Sequence, residues 1–310
     1  MDELYTIQNI FSKYRDKYNK LYLELLTLIS QTKKSTTEKL NIIYPNLDIS
    51  ILGYGDSYIV NNVFDTLTSN IIFEKLLNTT NWNTMKHKTG NVPRLISVQY
   101  ILNENLEQPI YRHPVDSEPP TEQMNDIVLY VKKIIEDKFG FYPFNHVLVQ
   151  LYRNGLDHIK HHSDKTLDIK RDTPIINVSF GQTRKMTLKS KFCDLLGKKD
   201  IINIEMTNGS MFVLGPNTNR YYTHGIKPNK QIFDKRISLT FRCIDSFLSK
   251  DNVIYGIGNK NPNQKDNIID QNEKMLIAFG KENKCYQYTT EEIYGDGFDI
   301  SILKKLENVK

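Results

Sequence analysis

Seven short β-rich runs follow one another between residues 146 and 244, and they constrain the fold more than any other feature of the sequence. Glycine, asparagine, proline or charged residues separate the runs, as is typical of turns between strands. Many short strands at this spacing indicate a β-sandwich, a barrel or a jelly roll, and a jelly roll of two packed sheets can enclose a site. The runs are HVLVQLY (146–152), PIINVSF (174–180), KMTLKS (185–190), DIINIEM (200–206), SMFVLG (210–215), RYYTHGI (220–226) and RISLTFRCI (236–244).

The N-terminal part of the chain has helical patterns instead. Apolar residues from Leu4 to Leu28 recur at alternating steps of three and four, which predicts one long helix over residues 3–31 with a single apolar seam. Because the seam is short, we expect it to pack on the protein's own core or on a second short helix rather than to form a dimer. The polar residues at Thr36–Glu38 and the turn-rich segment Asn46–Asp56 indicate loops.

Two further helices are expected before the β-rich runs begin. Helical spacing of apolar residues extends from Tyr58 to Trp82, and Met124–Lys138 form a clear amphipathic helix that Gly140 ends. We therefore predict an α+β fold, in which a double-stranded β-helix (jelly roll) core carries flanking helices and an N-terminal helical extension over residues 1–45. Residues 249–310 are expected to form a separate polar appendage.

Composition narrows the cellular setting more than it narrows the function. No apolar run approaches the roughly 20 residues of a membrane span, and the chain start lacks the pattern of a secretory signal, so we expect an intracellular protein of the cytoplasm or nucleus without membrane contact. Cys193, Cys243 and Cys285 lie far apart and in no CxxC pair, which argues against a disulfide framework or a zinc finger. A net charge of +5 is too mild to indicate nucleic-acid binding by itself.

A candidate metal site begins at the sequence HHSD. His162 and Asp164 are two residues apart, so on an extended strand both side chains would leave the same face. His224, which lies within a later β-rich run, would complete a two-histidine-one-carboxylate triad, which leaves open coordination positions on iron(II). His161 and His158 compete as ligands, but His161 would lie on the opposite face and His158 has no carboxylate two residues later.

The run RISLTFR adds two cations with matching spacing. Arg236 and Arg242 are six residues apart, which again places both on one strand face. Buried guanidinium groups require anions, and a dicarboxylate such as 2-oxoglutarate supplies a carboxylate at each end. The alternative is that both arginines lie on the solvent face of an edge strand. It fails only if Ile237, Leu239 and Phe241 pack against another layer.

Together these residues resemble the AlkB-like 2-oxoglutarate and iron(II) dioxygenases over about residues 58–248. The family pattern of an HxD pair, a distal histidine, an arginine 12 residues later and a second arginine six beyond that is met in full (236 − 224 = 12; 242 − 236 = 6). The sequences VPR at 92–94 and LVQLYRNG at 148–155 also match. More narrowly, HSDKTLDI, NVSFGQTRKM and the downstream AFGKEN and YGDGFDI resemble the long AlkB-like proteins of fungi and some large viruses. The residues that carry the family pattern are His162, Asp164, His224, Arg236 and Arg242.

The resemblance implies a role for each site residue. The triad would hold Fe(II), while Arg236 and Arg242, with Thr240 between them, would bind the carboxylates of 2-oxoglutarate. Tyr152 would donate its hydroxyl to the co-substrate, and Gln150 stands where the family usually has asparagine.

The resemblance also implies a reaction: oxidative demethylation of N-alkylated bases in DNA or RNA, with release of formaldehyde and succinate. A protein or small-molecule substrate is the alternative. Tyr100, Trp82 and Arg94 fall where the family builds its nucleotide-recognition lid. Thr166, next to Lys165, stands where DNA-repair relatives carry an acidic residue, which predicts weak selectivity for cationic bases.

Overall fold

Two β-sheets form the centre of this computed structural model, which describes residues 2–43, 48–87, 90–114, 119–141, 143–192, 200–261 and 268–300. The strands in chain order are β1 (Ile49–Leu52), β2 (Ser57–Val60), β3 (Lys86–His87), β4 (Gly90–Asn91), β5 (Leu95–Tyr100), β6 (Gln108–Pro109), β7 (Thr121–Gln123), β8 (His146–Tyr152), β9 (Ile159–His162), β10 (Ile175–Gly181), β11 (Arg184–Ser190), β12 (Ile201–Met206), β13 (Ser210–Leu214), β14 (Tyr222–Ile226), β15 (Arg236–Arg242), β16 (Ser246–Leu248) and β17 (Ile254–Gly256). The helices with described bounds are α1 (Asp2–Ile43), α2 (Thr66–Thr79), α3 (Asp126–Phe139), α4 (Pro216–Tyr221), α5 (Ile268–Lys284) and α6 (Thr290–Tyr294).

The main sheet has eight strands in the order β1-β2-β13-β10-β15-β8-β5-β7, and the minor sheet has four in the order β12-β11-β14-β9. Nearly all neighbours are antiparallel, the pair β5 and β7 being parallel. Apolar residues of both sheets share one buried cluster, so the sheets pack on each other. This cluster includes Ile175, Phe212 and Leu214 of the main sheet and Met186, Leu188 and Ile204 of the minor sheet.

Strand β15 shows how the main sheet separates its two faces. All seven of its residues are buried, but Ile237, Leu239 and Phe241 lie in a cluster with residues of α2 and α3, whereas the alternate residues face the other way. The two arginines are therefore not on a solvent face. Helices α2 and α3 cover the apolar face of β15. A jelly roll alone would have placed the second sheet there.

Helix α3 confirms the amphipathic helix predicted at Met124–Lys138. Asn125 caps its start by accepting from the Val128 amide, and Gly140 ends it with φ of 62°, a left-handed conformation that glycine adopts at little cost. Its buried residues Val128, Val131 and Ile135 pack on the outer face of the main sheet.

Three local predictions in the first 82 residues were wrong. Helix α1 continues through Thr36–Glu38 to Ile43, and Leu40 near its end is buried in the cluster beneath α2 and α3. The free energy gained by packing the end of the helix into the core outweighs the weak helix propensity of the two threonines.

The other two errors concern residues 48–82. The segment expected as a loop contains β1, and the start of the expected helix is β2, because Ile49, Ile51 and Ile59 supply the β-branched side chains of a sheet edge. Helix begins only at Thr66, where Asp65 caps it. The side chains of the seam from Leu4 to Leu21 lie outside the described part of the chain.

The β-rich runs from 146 onward were placed closely, with one correction at RYYTHGI. Its first two residues belong to the short helix α4, and β14 starts at Tyr222. The predicted α+β class agrees with the structure. Among the described residues, no helix combines the length and apolar character that crossing a bilayer requires.

The C-terminal residues pack on the body of the molecule. The apolar stretch Met275–Phe279 lies within α5, and Met275, Ala278 and Phe279 share a buried cluster with Leu167, which follows β9. The boundaries 1–45, 58–248 and 249–310 stay predictions.

Candidate metal and co-substrate site

Pairing between β9 and β14 brings the two predicted histidine ligands together. His224 lies opposite His162 in the register of the two strands, and their rings are 4.4 Å apart. Asp164 follows the end of β9, and its Oδ1 lies 3.5 Å from Nε2 of His162 and 3.6 Å from Nε2 of His224. All three ligand atoms fall within 4.8 Å of one another, a spacing that a single metal ion can bridge.

The surroundings favour the protonation states that metal binding requires. Nδ1 of His162 lies 2.8 Å from the carbonyl oxygen of Lys160, which assigns the proton to Nδ1 and leaves Nε2 as the ligand atom. Burial lowers the pKa of His224 to about 3, so its imidazole is neutral. Burial opposes ionisation of Asp164, but Arg242, His162 and His224 together outweigh this effect and hold the pKa of the carboxyl well below its usual range.

Arg242 is engaged on one side and free on the other. Its Nη2 donates to Oδ2 of Asp164 at 2.7 Å, and its guanidinium lies 4.3 Å from the ring of Tyr111. Its Nε and Nη1 are buried and have no hydrogen-bond partner among the described residues. These two N–H groups can bind a further anion beside Asp164.

Arg236, at the other end of β15, has polar but uncharged partners. Its Nε donates to Oγ of Ser179 at 2.8 Å and its Nη2 to Oδ1 of Asn177 at 3.4 Å. Its buried Nη1 has no hydrogen-bond acceptor within the described chain. Burial lowers the pKa of Arg236 to about 10, which is the expected effect of a buried cation without a carboxylate.

The remaining predicted residues lie between the two arginines. Oε1 of Gln150 accepts from Nε of Arg94 at 2.6 Å, which turns the amide nitrogen of Gln150 away from that arginine. Oγ1 of Thr240 accepts from Asn177 at 2.9 Å, and Tyr152 is almost wholly buried. One cavity is lined by every residue predicted for the site: Gln150, Tyr152, His162, Asp164, His224, Arg236, Thr240 and Arg242. The role of each stays a prediction.

The competing histidines lie elsewhere. His161 contacts Thr187 through Nε2 at 2.8 Å and Thr223 through Nδ1 at 3.3 Å, on the side of β9 away from the triad. Nδ1 of the half-buried His158 lies 2.9 Å from the Leu156 carbonyl oxygen. The strand register therefore separates His162 from its neighbours as the spacing predicted.

Thr166 does not line the triad cavity. Its hydroxyl donates to Oε1 of Glu282 at 2.5 Å, and Glu282 is fully buried at the end of α5. A carboxylate at position 166 would face the Glu282 carboxylate rather than a substrate. The position that repair relatives keep acidic is here a contact with the C-terminal segment.

A second cavity of about 380 Å³ adjoins the first, and sequence analysis missed most of its polar residues. Leu148 lines both cavities, and Tyr111, His113 and His146 line the second. The ring of Tyr111 stacks on that of His113, with centroids 5.5 Å apart. His146 could have been found, since it continues the even-numbered face of β8, but the irregular segment around Tyr111 has no periodic signal.

The family of the chain follows from a sequence comparison. A family model described as the 2OG-Fe(II) oxygenase superfamily matches residues 56–242, more than half of the chain. The chain belongs to this superfamily. The match contains the complete triad and both arginines of β15.

Curated relatives confirm the AlkB-like resemblance. The DNA oxidative demethylase ALKBH2 of Mus musculus is 34% identical over 106 residues, which cover 33% of this chain and 44% of that protein. The Homo sapiens ALKBH2 is 32% identical over 106 residues, which cover 33% of this chain and 40% of its own length. The alpha-ketoglutarate-dependent dioxygenase alkB homolog 3 of Bos taurus is 25% identical over 184 residues, which cover 58% of this chain and 63% of that protein.

These alignments are partial, so the chain spans under half the length of its ALKBH2 relatives. A solved structure, that of OsALKBH1, matches with a TM-score of 0.44 and 14% identity, covering 63% of this chain and 99% of that one.

The Fe(II) and 2-oxoglutarate of the superfamily fit the residues present. Two imidazoles and one carboxylate form the donor set that non-haem Fe(II) takes in oxygenases. Arg236 and Arg242 line the same cavity and have N–H groups without a partner in the described part of the chain, which suits a co-substrate with a carboxylate at each end.

Proposed function

We propose that the protein is an Fe(II)- and 2-oxoglutarate-dependent dioxygenase that oxidatively demethylates N-alkylated bases in DNA or RNA, releasing formaldehyde and succinate. The observation that carries this proposal is the single cavity in which the triad and both arginines of β15 meet. The names of the ALKBH2 relatives support the nucleic-acid substrate. We also propose that the two packed sheets form a jelly roll and that the protein is intracellular.

Each part of the site would have a distinct task. Bound iron would supply the redox chemistry that couples oxidation of 2-oxoglutarate by dioxygen to oxidation of the substrate methyl group. His162, Asp164 and His224 would hold the metal on one side only and leave its other positions accessible. Arg242 helps to keep Asp164 ionised, while Arg236 would bind the distal carboxylate of the co-substrate at the other end of β15.

The second cavity supports a flat aromatic substrate. Tyr111, His113 and His146 offer planar rings on which a base removed from its stack can lie. Burial, together with Arg242, lowers the pKa of His146 well below its usual range, so this imidazole is neutral and does not repel a cationic methylated base. Arg242 links the two cavities, because it pairs with Asp164 and faces the Tyr111 ring.

The test is succinate formation by the full chain, supplied with Fe(II) and 2-oxoglutarate, on methylated DNA, methylated RNA and methylated peptide pools. We expect succinate and formaldehyde to rise together with a methylated oligonucleotide and not with the same oligonucleotide unmethylated. His113→Ala should lose this stimulation while keeping basal 2-oxoglutarate turnover. Stimulation by peptides alone would replace nucleic acid with protein as the substrate class.

Helix α1 has two predicted roles, packing on the protein's own core and docking of a partner, and its contacts support the first. Leu25, Ile29 and Leu40 contact the buried clusters of the molecule, which favours packing on the protein's own core. Docking of a partner on the helix stays a prediction. Removal of residues 1–45 should lower the unfolding midpoint if the helix belongs to the core.

A further inference from the structure

Four consecutive backbone amides in the loop that carries Asp164 donate to side chains from distant parts of the chain. Ser163 N donates to Asn283 Oδ1 at 3.0 Å, Asp164 N to Asn219 Oδ1 at 2.9 Å, Lys165 N to Tyr111 OH at 3.0 Å and Thr166 N to Glu282 Oε1 at 3.1 Å. We propose that Glu282 and Asn283, which lie outside the family-matched residues 56–242, are positioning residues for the metal ligand Asp164. This inference rests on the metal role assigned under Proposed function.

The need for such positioning follows from where β9 ends. The last residue of the strand is His162, so the hydrogen bonds of the sheet fix His162 and His224 but not Asp164. A loop whose amides lack strand partners must find other acceptors when it is buried. Ser163 and Asp164 are both buried, and side chains of other segments meet this requirement.

Asn283 holds the loop at two atoms. Its Oδ1 accepts from the Ser163 amide and also from Nζ of Lys165 at 2.6 Å. The Lys165 side chain is itself buried, so its ammonium group depends on this acceptor and on the Glu282 carboxylate 3.9 Å away. The side chain of Asn283 thereby ties together the residues on both sides of Asp164.

Glu282 holds the far side of the loop. Its Oε1 accepts from both the amide and the hydroxyl of Thr166, and its Oε2 accepts from the hydroxyl of Tyr294. Its own carbonyl oxygen accepts from Nζ of Lys191 at 2.7 Å. Every polar group of this residue that faces the loop is therefore engaged, and the carboxylate cannot turn away without losing several hydrogen bonds.

The end of α5 is itself fixed in place. Met275, Ala278 and Phe279 pack with Leu167, so the helix rests on the same loop that its last residues clamp. Arg112 adds a further tie: it pairs with Asp168 at 2.5 Å and donates to backbone oxygens of Phe298 and Ile300. The C-terminal segment thus contacts the metal loop through an apolar cluster and two side-chain clamps, and Arg112 joins the end of this segment to Asp168.

The experiment compares Asn283→Leu with Asn283→Asp in the full chain, using Co(II) as a spectroscopic probe of the metal site. Loss of groups that orient metal ligands typically costs about 10- to 100-fold in metal affinity, and we expect a loss of that size for Asn283→Leu. Asn283→Asp keeps the acceptor oxygen and should restore tight binding. Lys284→Leu, on the exposed neighbouring position, is the matched control and should bind Co(II) like the wild type.

Hydrogen exchange of the metal-free protein gives a readout independent of activity. The amides of residues 163–166 should exchange faster in Asn283→Leu, while peptides from β8 and β15 exchange as in the wild type. Should Asn283→Leu not fold, Glu282→Gln serves instead, since it keeps an oxygen for Thr166 but loses the charge that faces Lys165, and it too should weaken Co(II) binding.

The outcomes separate this inference from the proposed function. Wild-type affinity for Co(II) in folded Asn283→Leu, with unchanged exchange at residues 163–166, would overturn the positioning role and leave the triad intact. A wild-type protein that does not bind Co(II) at all would overturn the metal role of the triad, and the positioning role with it.

Discussion

Both ends of β15 carry an arginine on the same face, yet the two arginines have different electrostatic surroundings. Arg242 is 3% exposed and Arg236 is 1% exposed, so burial is equal. At the Arg242 end, burial opposes the charge, but the Asp164 carboxylate and Tyr111 together outweigh it and raise the pKa of the guanidinium. At the Arg236 end, no such carboxylate is present among the described residues, and burial lowers the pKa to about 10.

The difference shows which of the two arginine charges is neutralised by another residue of the protein. Arg242 is part of a buried ion pair, so its charge stabilises the Asp164 carboxylate even without a bound ligand. Among the described residues, Arg236 contacts the dipoles of Ser179 and Asn177 and the ring of Tyr152, and a bound anion would supply its full counter-charge. In the proposed function, the end with the balanced charge holds the metal and the end with the unbalanced charge binds the co-substrate.

Removing the counter-charge itself should have the largest effect. Asp164→Ala takes away a metal ligand and leaves Arg242 as unpaired as Arg236, so we expect 2-oxoglutarate turnover to fall below detection. Succinate assays check this, with Asp251→Ala on the surface as the control. Wild-type turnover in Asp164→Ala would remove Asp164 from the triad.

Arg242→Met should be the most destabilising change at β15, because it leaves the Asp164 carboxylate buried without its partner. Breaking a buried ion pair from one side costs about 3–5 kcal/mol, and urea unfolding of the metal-free protein measures it.

The pH dependence of unfolding gives the sign of the Asp164–Arg242 interaction. The folded pKa of Asp164 lies below its ordinary value of 3.8, so the stability from this pair is present above pH 3.8 and is lost as pH falls further. Arg242→Met should remove this loss. Identical acid-unfolding slopes in both proteins would contradict the ion pair.

Arg236→Met should behave in the opposite way. Because no carboxylate is left behind, the metal-free protein should be as stable as the wild type or more stable. The KM for 2-oxoglutarate should rise by about 10- to 100-fold, since hydrogen bonds to charged groups contribute about 1.5–3 kcal/mol. Arg236→Lys should not restore binding, because lysine lacks the bidentate geometry. An unchanged KM would mean that another residue binds the distal carboxylate.

Arg94→Met should have a smaller effect on the same parameter. It frees the Gln150 amide to rotate, so the KM for 2-oxoglutarate should rise by about 2- to 10-fold, in line with a net hydrogen-bond contribution of about 0.5–1.5 kcal/mol. The matched change Gln150→Asn restores the residue type usual in the family and tests whether side-chain length matters. A loss of kcat without a change in KM would argue against co-substrate positioning.

His161→Ala should have the smallest effect. This side chain contacts Thr187 and Thr223 on the outer side of β9, and loss of one such contact should leave turnover near the wild-type level. Loss of metal binding would mean that the assignment of ligands to β9 is wrong by one residue.

The residues of the site were easier to predict from the sequence than the residues that hold them in place. Even spacing along a strand fixes the face of a side chain, so the residues of β8 and β15 that were expected together do line one cavity. The segment before Thr66 was misread because short apolar runs fit either a helix or a strand until their neighbours are known. Tyr111, Glu282 and Asn283 have no periodic signal, since their contacts join residues that the chain separates by more than 50 positions.

The clamp on the Asp164 loop has a consequence for synthesis of the protein. Ser163 and Asn283 are 120 residues apart in the chain. At a ribosomal rate of about 5–20 residues per second, roughly 6 to 24 s pass between synthesis of the metal-ligand loop and synthesis of its last clamp. During that interval the nascent chain carries the Asp164 loop without Glu282 and Asn283, which hold it in place. Iron loading of the proposed site is therefore expected to be completed only after translation has passed residue 283.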